Sequence, residues 1–327
     1  MLRKLNILML DWPLRQERLF PRVQPLIVEI GFGNGDYLMH LARTQPERNV
    51  LGFEISGQSM DKAEAKIAML GLDNVRPIHG RAETALAHLL APASVEAFHI
   101  NYPDPWFKKR HQRRRLISRD TVNLLTSRLV PAGRLLLATD IIDYAEMAHE
   151  ILSTAPGLVN EFDAPWVNEV AGRFVTKYEL KGYREGRRGH FFRYARNDRP
   201  VAHPPVIQEW DMPHLFLHSP LTAADICERF EATRRRMGEA HIAILHAFAD
   251  PKRNVALFEV VVEEPTIEQH TMIMLAPREK AGEYIVKMTS LGHARATLGM
   301  HRAVEAVGEW VASLDAEARV LARKLRG

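Results

Sequence analysis

The run LIVEI at residues 26–30 leads directly into GFGNG at 31–35 and then into DYLMHLART. A short apolar segment, a glycine-dense turn and a helix-period pattern make one strand-loop-helix unit. The rhythm repeats along the chain. Val50–Glu54 reads as a second strand and Asp61–Leu70 as a second helix. Val75–His79 is a third strand, followed by a helix over Ala82–Leu90, and Val95–Asn101 is a fourth strand that runs into Pro103. Arg119–Leu129 reads as helix, Pro131–Gly133 as a turn, Arg134–Asp140 as a fifth strand and Tyr144–Ser153 as the next helix. This alternation predicts an α/β fold with a mostly parallel, doubly wound sheet, in which ligands bind outside the carboxyl ends of the strands. Phe174–Leu180 and Phe191–Tyr194 read as two last strands joined by KGYREGRRG, an antiparallel pair completing the sheet.

After Asn197-Asp198-Arg199-Pro200 and His203-Pro204-Pro205, which read as a linker, the rhythm changes. A strand near His214–His218 precedes a helix from about Ala223 to Arg236. Strands over 240–248, 254–262, 267–275 and 283–289 follow, with helices from about 296 onward. Consecutive strands bracketed by helices predict a smaller α+β domain. The expected division is a domain over 1–199 and a second over 200–327, whose role the sequence leaves open.

One cysteine, Cys227, excludes an internal disulfide framework and a cysteine-based zinc site, and no metal is expected. The N-terminal apolar run stops at Asp11, too early for a signal peptide or a spanning helix. A soluble, cytoplasmic protein is the expectation. Charge is unevenly spread: residues 1–200 carry 29 Lys/Arg against 23 Asp/Glu, and residues 201–327 carry 15 against 17. The positive charge therefore points to a local anionic partner surface on the first part.

Gly31, Gly33 and Gly35 allow a tight turn and close approach of a ligand to the backbone. A dinucleotide loop has the wider spacing G-x-G-x-x-G and lays a pyrophosphate on the helix N-terminus. Here the spacing is G-x-G-x-G with Glu29 in front of it. That suits a phosphate-free ligand with an adenosine and a cationic amino-acid tail, a description that S-adenosylmethionine fits. It disfavours a nicotinamide dehydrogenase. Glu54, ending the second strand, can accept hydrogen bonds from both ribose hydroxyls.

Pro103-Asp104-Pro105-Trp106 makes a stiff corner after the fourth strand, able to hold Asp104 at a set place. Alone it would equally serve as a rigid strand-ending turn. Directly after it stand Lys108, Lys109, Arg110, His111, Arg113, Arg114 and Arg115. So many cations repel one another unless an anion neutralises them, and beside a ligand site a nucleic-acid backbone is the better reading.

EIGFGNG, NYPDPWFKKRHQRRR, ATDIIDYA at 138–145 and TKYELKG at 176–182 together resemble the tRNA (guanine-N7)-methyltransferase family, over roughly residues 20–196. The PDPW–KKRH–RR block is the most specific part. The resemblance implies a class I, Rossmann-like methyltransferase sheet, S-adenosylmethionine as cofactor and tRNA as partner, with methylation at N7 of a variable-loop guanosine. It implies Glu29 and Glu54 as cofactor-binding residues and Asp104 at the catalytic centre. Lys108, Asp140 and the segment Thr176, Lys177, Tyr178 and Glu179 are implied in substrate binding, and the basic run in RNA contact.

The chain also departs from the family pattern. Arg81 stands where the family commonly has an acidic residue beside adenine, with Glu83 as the substitute cofactor-binding residue. The strand after the glycine turn reads FFRY rather than Asp-Leu, and residues 200–327 have no counterpart in the resemblance. Two alternatives to the main reading remain: a catalytically silent RNA-binding protein with this fold, and a methyltransferase acting on another RNA. Monomer and homodimer are equally open.

Overall fold

The computed structural model describes residues 4–106, 115–202 and 209–326. The chain divides into two compact units, Met1–Val206 and Ile207–Gly327.

Unit 1 carries a seven-stranded sheet. Its strands are β1 (Leu26–Ile30), β2 (Asn49–Glu54), β3 (Val75–His79), β4 (Val95–Asn101), β5 (Leu129–Thr139), β6 (Leu158–Asn160) and β7 (His190–Arg196), in the order β3-β2-β1-β4-β5-β7-β6. β1 to β5 pair in parallel, while β7 runs antiparallel to both β5 and β6. All five residues of β1 are buried, as expected for a strand covered by helices on both faces. Ile27 and Val50 pack on one side with α1 (Asp36–Thr44) and α2 (Gly57–Leu70). Val28, Ile30 and Phe53 face the other side. There they meet the helical stretch Ala82–Leu89, whose last five residues form a π turn, and the helices α4 (Arg119–Arg128) and α5 (Ile142–Ser153). The first stretch is numbered α3 (Ala82–Thr84). Buried Arg128 donates from Nε to Leu86 O at 2.6 Å, giving a freed helix-end carbonyl a donor.

The sheet's closing elements differ from the sequence expectation. Residues 174–180 are not a strand: Thr176 caps α6 (Lys177–Arg184). The Thr176 hydroxyl accepts from the Glu179 amide at 3.2 Å, and Glu179 Oε2 accepts from the Thr176 amide at 3.4 Å. This capping box is a short-range signal, and it overrides the strand-like composition of FVTKY. The antiparallel partner of β7 on the outer side is instead β6, a three-residue strand too short to show periodicity.

Unit 2 is a seven-stranded antiparallel sheet. It contains β8 (His214–His218), β9 (Thr233–Met237), β10 (Ala240–Asp250), β11 (Val255–Glu264), β12 (Ile267–Pro277), β13 (Glu283–Met288) and β14 (Arg319–Lys324), in the order β14-β8-β13-β12-β11-β10-β9. One face packs against α7 (Ala223–Glu228) and α8 (Leu298–Ala312). Met300, Val304, Val307 and Val311 form the helical stripe of α8, and a Cβ on Gly308 would lie 2.3 Å from Leu215, so only glycine lets helix and sheet approach this closely. The expected helix over 223–236 stops at Glu228, and Arg234-Arg235-Arg236 lie on β9 at one sheet edge. The last segment is likewise an edge strand, β14, rather than helix.

Candidate active site

β1 and β4 are neighbours in the sheet, but the chain leaves them in opposite directions, toward β2 and toward β5. Their carboxyl ends therefore open a crevice, the place where such sheets take ligands. The glycine loop lies at its head. Gly31, Gly33 and Gly35 have φ of 73°, 55° and 81°, a left-handed geometry that costs other residues energy. A Cβ on Gly31 would meet nothing within 4 Å, so that position borders open space.

Glu54 joins this loop to the end of β2. Its Oε2 accepts from the Gly33 amide at 2.9 Å, and its Oε1 accepts from the amides of Ile55 at 2.8 Å and Ser56 at 3.0 Å. Ile55, next along, is a large apolar residue left 69% exposed.

Glu29 lies on the α1/α2 face of the sheet and is buried. Its Oε1 accepts from Asn101 Nδ2 at 3.4 Å, while Oε2 is buried with no hydrogen-bond partner among the described residues. Burial raises the Glu29 carboxyl to about 8, opposed by the Asn101 hydrogen bond and by the Arg173 charge. An unpaired carboxylate oxygen at this depth calls for a cation or a donor. Together with the open space over Gly31, it fits the ammonium group of an amino-acid tail.

Asn101 ends β4, and its Oδ1 accepts from Arg173 NH2 at 2.8 Å. Arg173 is largely buried, its guanidinium 4.7 Å from the Phe191 ring centre and 5.8 Å from that of Tyr37. Its Nε lies 3.4 Å from Glu179 Oε2. Glu179 Oε1 accepts from the Tyr183 hydroxyl at 2.8 Å. Burial raises the Tyr102 phenol, and the neighbouring Glu179 charge adds to the shift. The Tyr37 hydroxyl meets His99 Nδ1 at 3.0 Å, and burial lowers His99 to about 3, keeping that ring neutral.

The proline corner is held from two sides. The Tyr102 amide donates to Ala138 O at 2.8 Å, and Arg115 Nε donates to Pro105 O at 3.0 Å. Tyr102 and Trp106 both have positive φ, 52° and 42°, so the corner is bounded by two strained residues. Asp104 between them is exposed. Arg115 also places NH1 3.2 Å from Met147 Sδ, so its guanidinium ties the corner to α5. Lys108, Lys109, Arg110, His111, Arg113 and Arg114 lie outside the described residues.

Asp140, just past β5, is paired with Arg187 at 3.1 Å. Gly182 of α6 lies so close that a Cβ there would be 2.9 Å from Asp140 Oδ2. Thr176 and Glu179 are buried and bonded to each other, while Lys177 and Tyr178 fall in the first turn of α6. Glu83, in the first turn of α3, pairs with Arg81 at 3.6 Å.

The carboxyl ends of β1, β2 and β4 thus bring Glu29, Glu54 and the glycine loop together, and Asn101 and Arg173, which sequence reasoning missed, bond beside them. Asn101 had a usable signal, a polar amide closing a buried strand at the switch point. Arg173 had none, because its contacts span 72 residues to Asn101.

The family model "Putative methyltransferase" (Methyltransf_4) matches residues 23–191. A tRNA (guanine-N(7)-)-methyltransferase from Thermus thermophilus is 34% identical over 298 residues, 90% of this chain and 92% of the relative. The chain belongs to this methyltransferase family. Its relative of the same name from Alkalilimnicola ehrlichii is 37% identical over 188 residues, 58% of this chain and 79% of the relative. That from Cutibacterium acnes is 41% identical over 186 residues, 55% of this chain, and the chain spans 66% of that relative's length. A match of 298 residues exceeds unit 1, so the Thermus family member shares sequence in unit 2 as well. This corrects the expectation that residues 200–327 lack a counterpart.

Proposed function

We propose that this chain transfers the methyl group of S-adenosylmethionine to N7 of a guanosine in tRNA, in the variable loop. The observation that carries the cofactor half is the buried Glu29 Oε2, without a hydrogen-bond partner among the described residues, directly before a three-glycine loop. Glu29 would hold the cofactor's ammonium group, and Glu54 its ribose hydroxyls. The exposed Ile55 gives adenine an apolar surface. The cofactor supplies an electrophilic methyl group on a sulfonium.

Guanine N7 carries a free lone pair, so no base need remove a proton before attack. The task of the protein is alignment at near-attack distance. Asp104, exposed on a corner fixed by Arg115 and the β5 end, would accept from the guanine N–H donors and offset the positive charge that develops on the ring. Asp140, Lys108 and the start of α6 would line the substrate side, with Lys109, Arg110, His111, Arg113 and Arg114 on phosphates; Arg115, expected in RNA contact with them, we assign instead to the Pro105 corner that its Nε holds. Glu83, paired with Arg81, would border adenine. We propose residues 1–199 as the catalytic domain and the rest as a separate α+β domain.

Incubation of unmodified tRNA with labelled cofactor, followed by mapping of the methylated base, tests this reading. Label at N7 of a variable-loop guanosine supports it; label elsewhere or none overturns it. No helix among the described residues is long and apolar enough to cross a membrane.

A further inference from the structure

We infer that Arg173 is a positioning residue that locks the Glu29 carboxylate and the substrate-side helix into one register. The inference rests on the proposed cofactor reading of Glu29. An arginine only donates, so the oxygen of the Asn101 amide must face it, and Oδ1 is 2.8 Å from Arg173 NH2. That orientation turns Asn101 Nδ2 toward Glu29 Oε1 and leaves Glu29 Oε2 for the ligand. The other arm of the guanidinium reaches Glu179 Oε2 at 3.4 Å, the carboxylate that closes the cap of α6. Phe191 and Tyr37 fix the guanidinium by ring contacts on either neighbour element.

One planar fork therefore ties the end of β4 to the start of α6. A lysine supplies the charge but cannot donate along both fixed directions. Charge and fork are thus separable. The charge favours ionised Glu29. The other ionisable groups around Glu29 are Glu54 on β2, Asp36 and Tyr37 on α1, and His99 opposite it on β4. Of these, Glu54 and Asp36 oppose its ionisation. The fork sets the geometry that turnover needs.

The test measures S-adenosylmethionine affinity across pH, and kcat on tRNA, for the full chain and two variants. With Arg173→Met, the pH midpoint at which affinity rises should move up by about one unit, and affinity at pH 7 should fall ~tenfold. With Arg173→Lys, the midpoint should stay near wild type while kcat falls ~tenfold or more. A merely structural arginine would lower thermal stability in both variants and leave the pH midpoint alone. An unmoved midpoint in Arg173→Met, or full kcat in Arg173→Lys, overturns the inference alone. Failure of the wild-type chain to bind the cofactor overturns the reading of Glu29, and this inference with it.

Discussion

The Gly33 amide donates to Glu54 Oε2 at 2.9 Å. The carboxylate at the end of β2 therefore sets the shape of the loop at the end of β1, and it does so while its other oxygen holds two further amides. Glu54→Ala removes the acceptor for three amides at once. We expect a loss of ~1–3 kcal/mol of unfolding free energy, part of it recovered from solvent, and at least ~tenfold weaker cofactor binding. Urea unfolding and calorimetry measure the two effects, and an unchanged affinity would remove Glu54 from the cofactor site.

The raised Glu29 carboxyl gives a pH prediction whose sign is fixed. Without ligand the folded state holds the proton up to about 8, whereas the unfolded chain releases it near the ordinary value of 4.5. The group's contribution to stability is therefore full below the unfolded value and is lost as pH rises through the interval toward 8. A cationic ligand on Oε2 requires the ionised form, so binding at pH 7 releases a proton. Calorimetry in buffers of different ionisation enthalpy should detect that proton for wild type and not for Glu29→Gln.

Asp104 and Arg115 should both act on turnover. Asp104→Asn is expected to lower kcat far more than cofactor affinity, because the side chain is exposed on the proline corner and is not part of the glycine loop. Equal loss of both would contradict its place at the methyl-accepting side.

Arg115→Leu should also lower kcat by loosening the Pro105 corner. Its Nε is used on the Pro105 carbonyl and its NH1 on the Met147 sulfur, so with Arg115 as a brace the slope of log tRNA affinity against log salt should not change. Titrations at several salt concentrations check this, and a shallower slope would make Arg115 a phosphate contact.

The capping box of α6 predicts that Thr176→Ala costs ~1 kcal/mol, while Thr176→Ser stays near wild type. Denaturant midpoints decide between them. A similar loss for the serine variant would mean that the methyl group, not the hydroxyl, matters at this buried position.

Much of unit 1 was legible because its signals are local. The five-residue apolar run of β1, its glycines and Glu54 predict their own geometry, and all take the places expected. Misreading began where short-range and long-range signals compete. Phe174–Leu180 has strand composition, yet Thr176 and Glu179 three positions apart start a helix. Arg234–Arg236 continue a helix in sequence, but pairing with β10 makes them strand. Asn101 and Arg173 escaped because a hydrogen bond between residues 72 positions apart leaves no periodicity to read.

The two edges of the unit 2 sheet carry a further consequence. β9 carries Arg234, Arg235 and Arg236, and β14 carries Arg319, Arg323 and Lys324, and among the described residues these two strands are the edges of the sheet. If two copies joined β9 to β9 antiparallel, one arginine run would face its twin, and like charges directly opposite are repulsive. The charge on these edges therefore disfavours that edge-to-edge pairing.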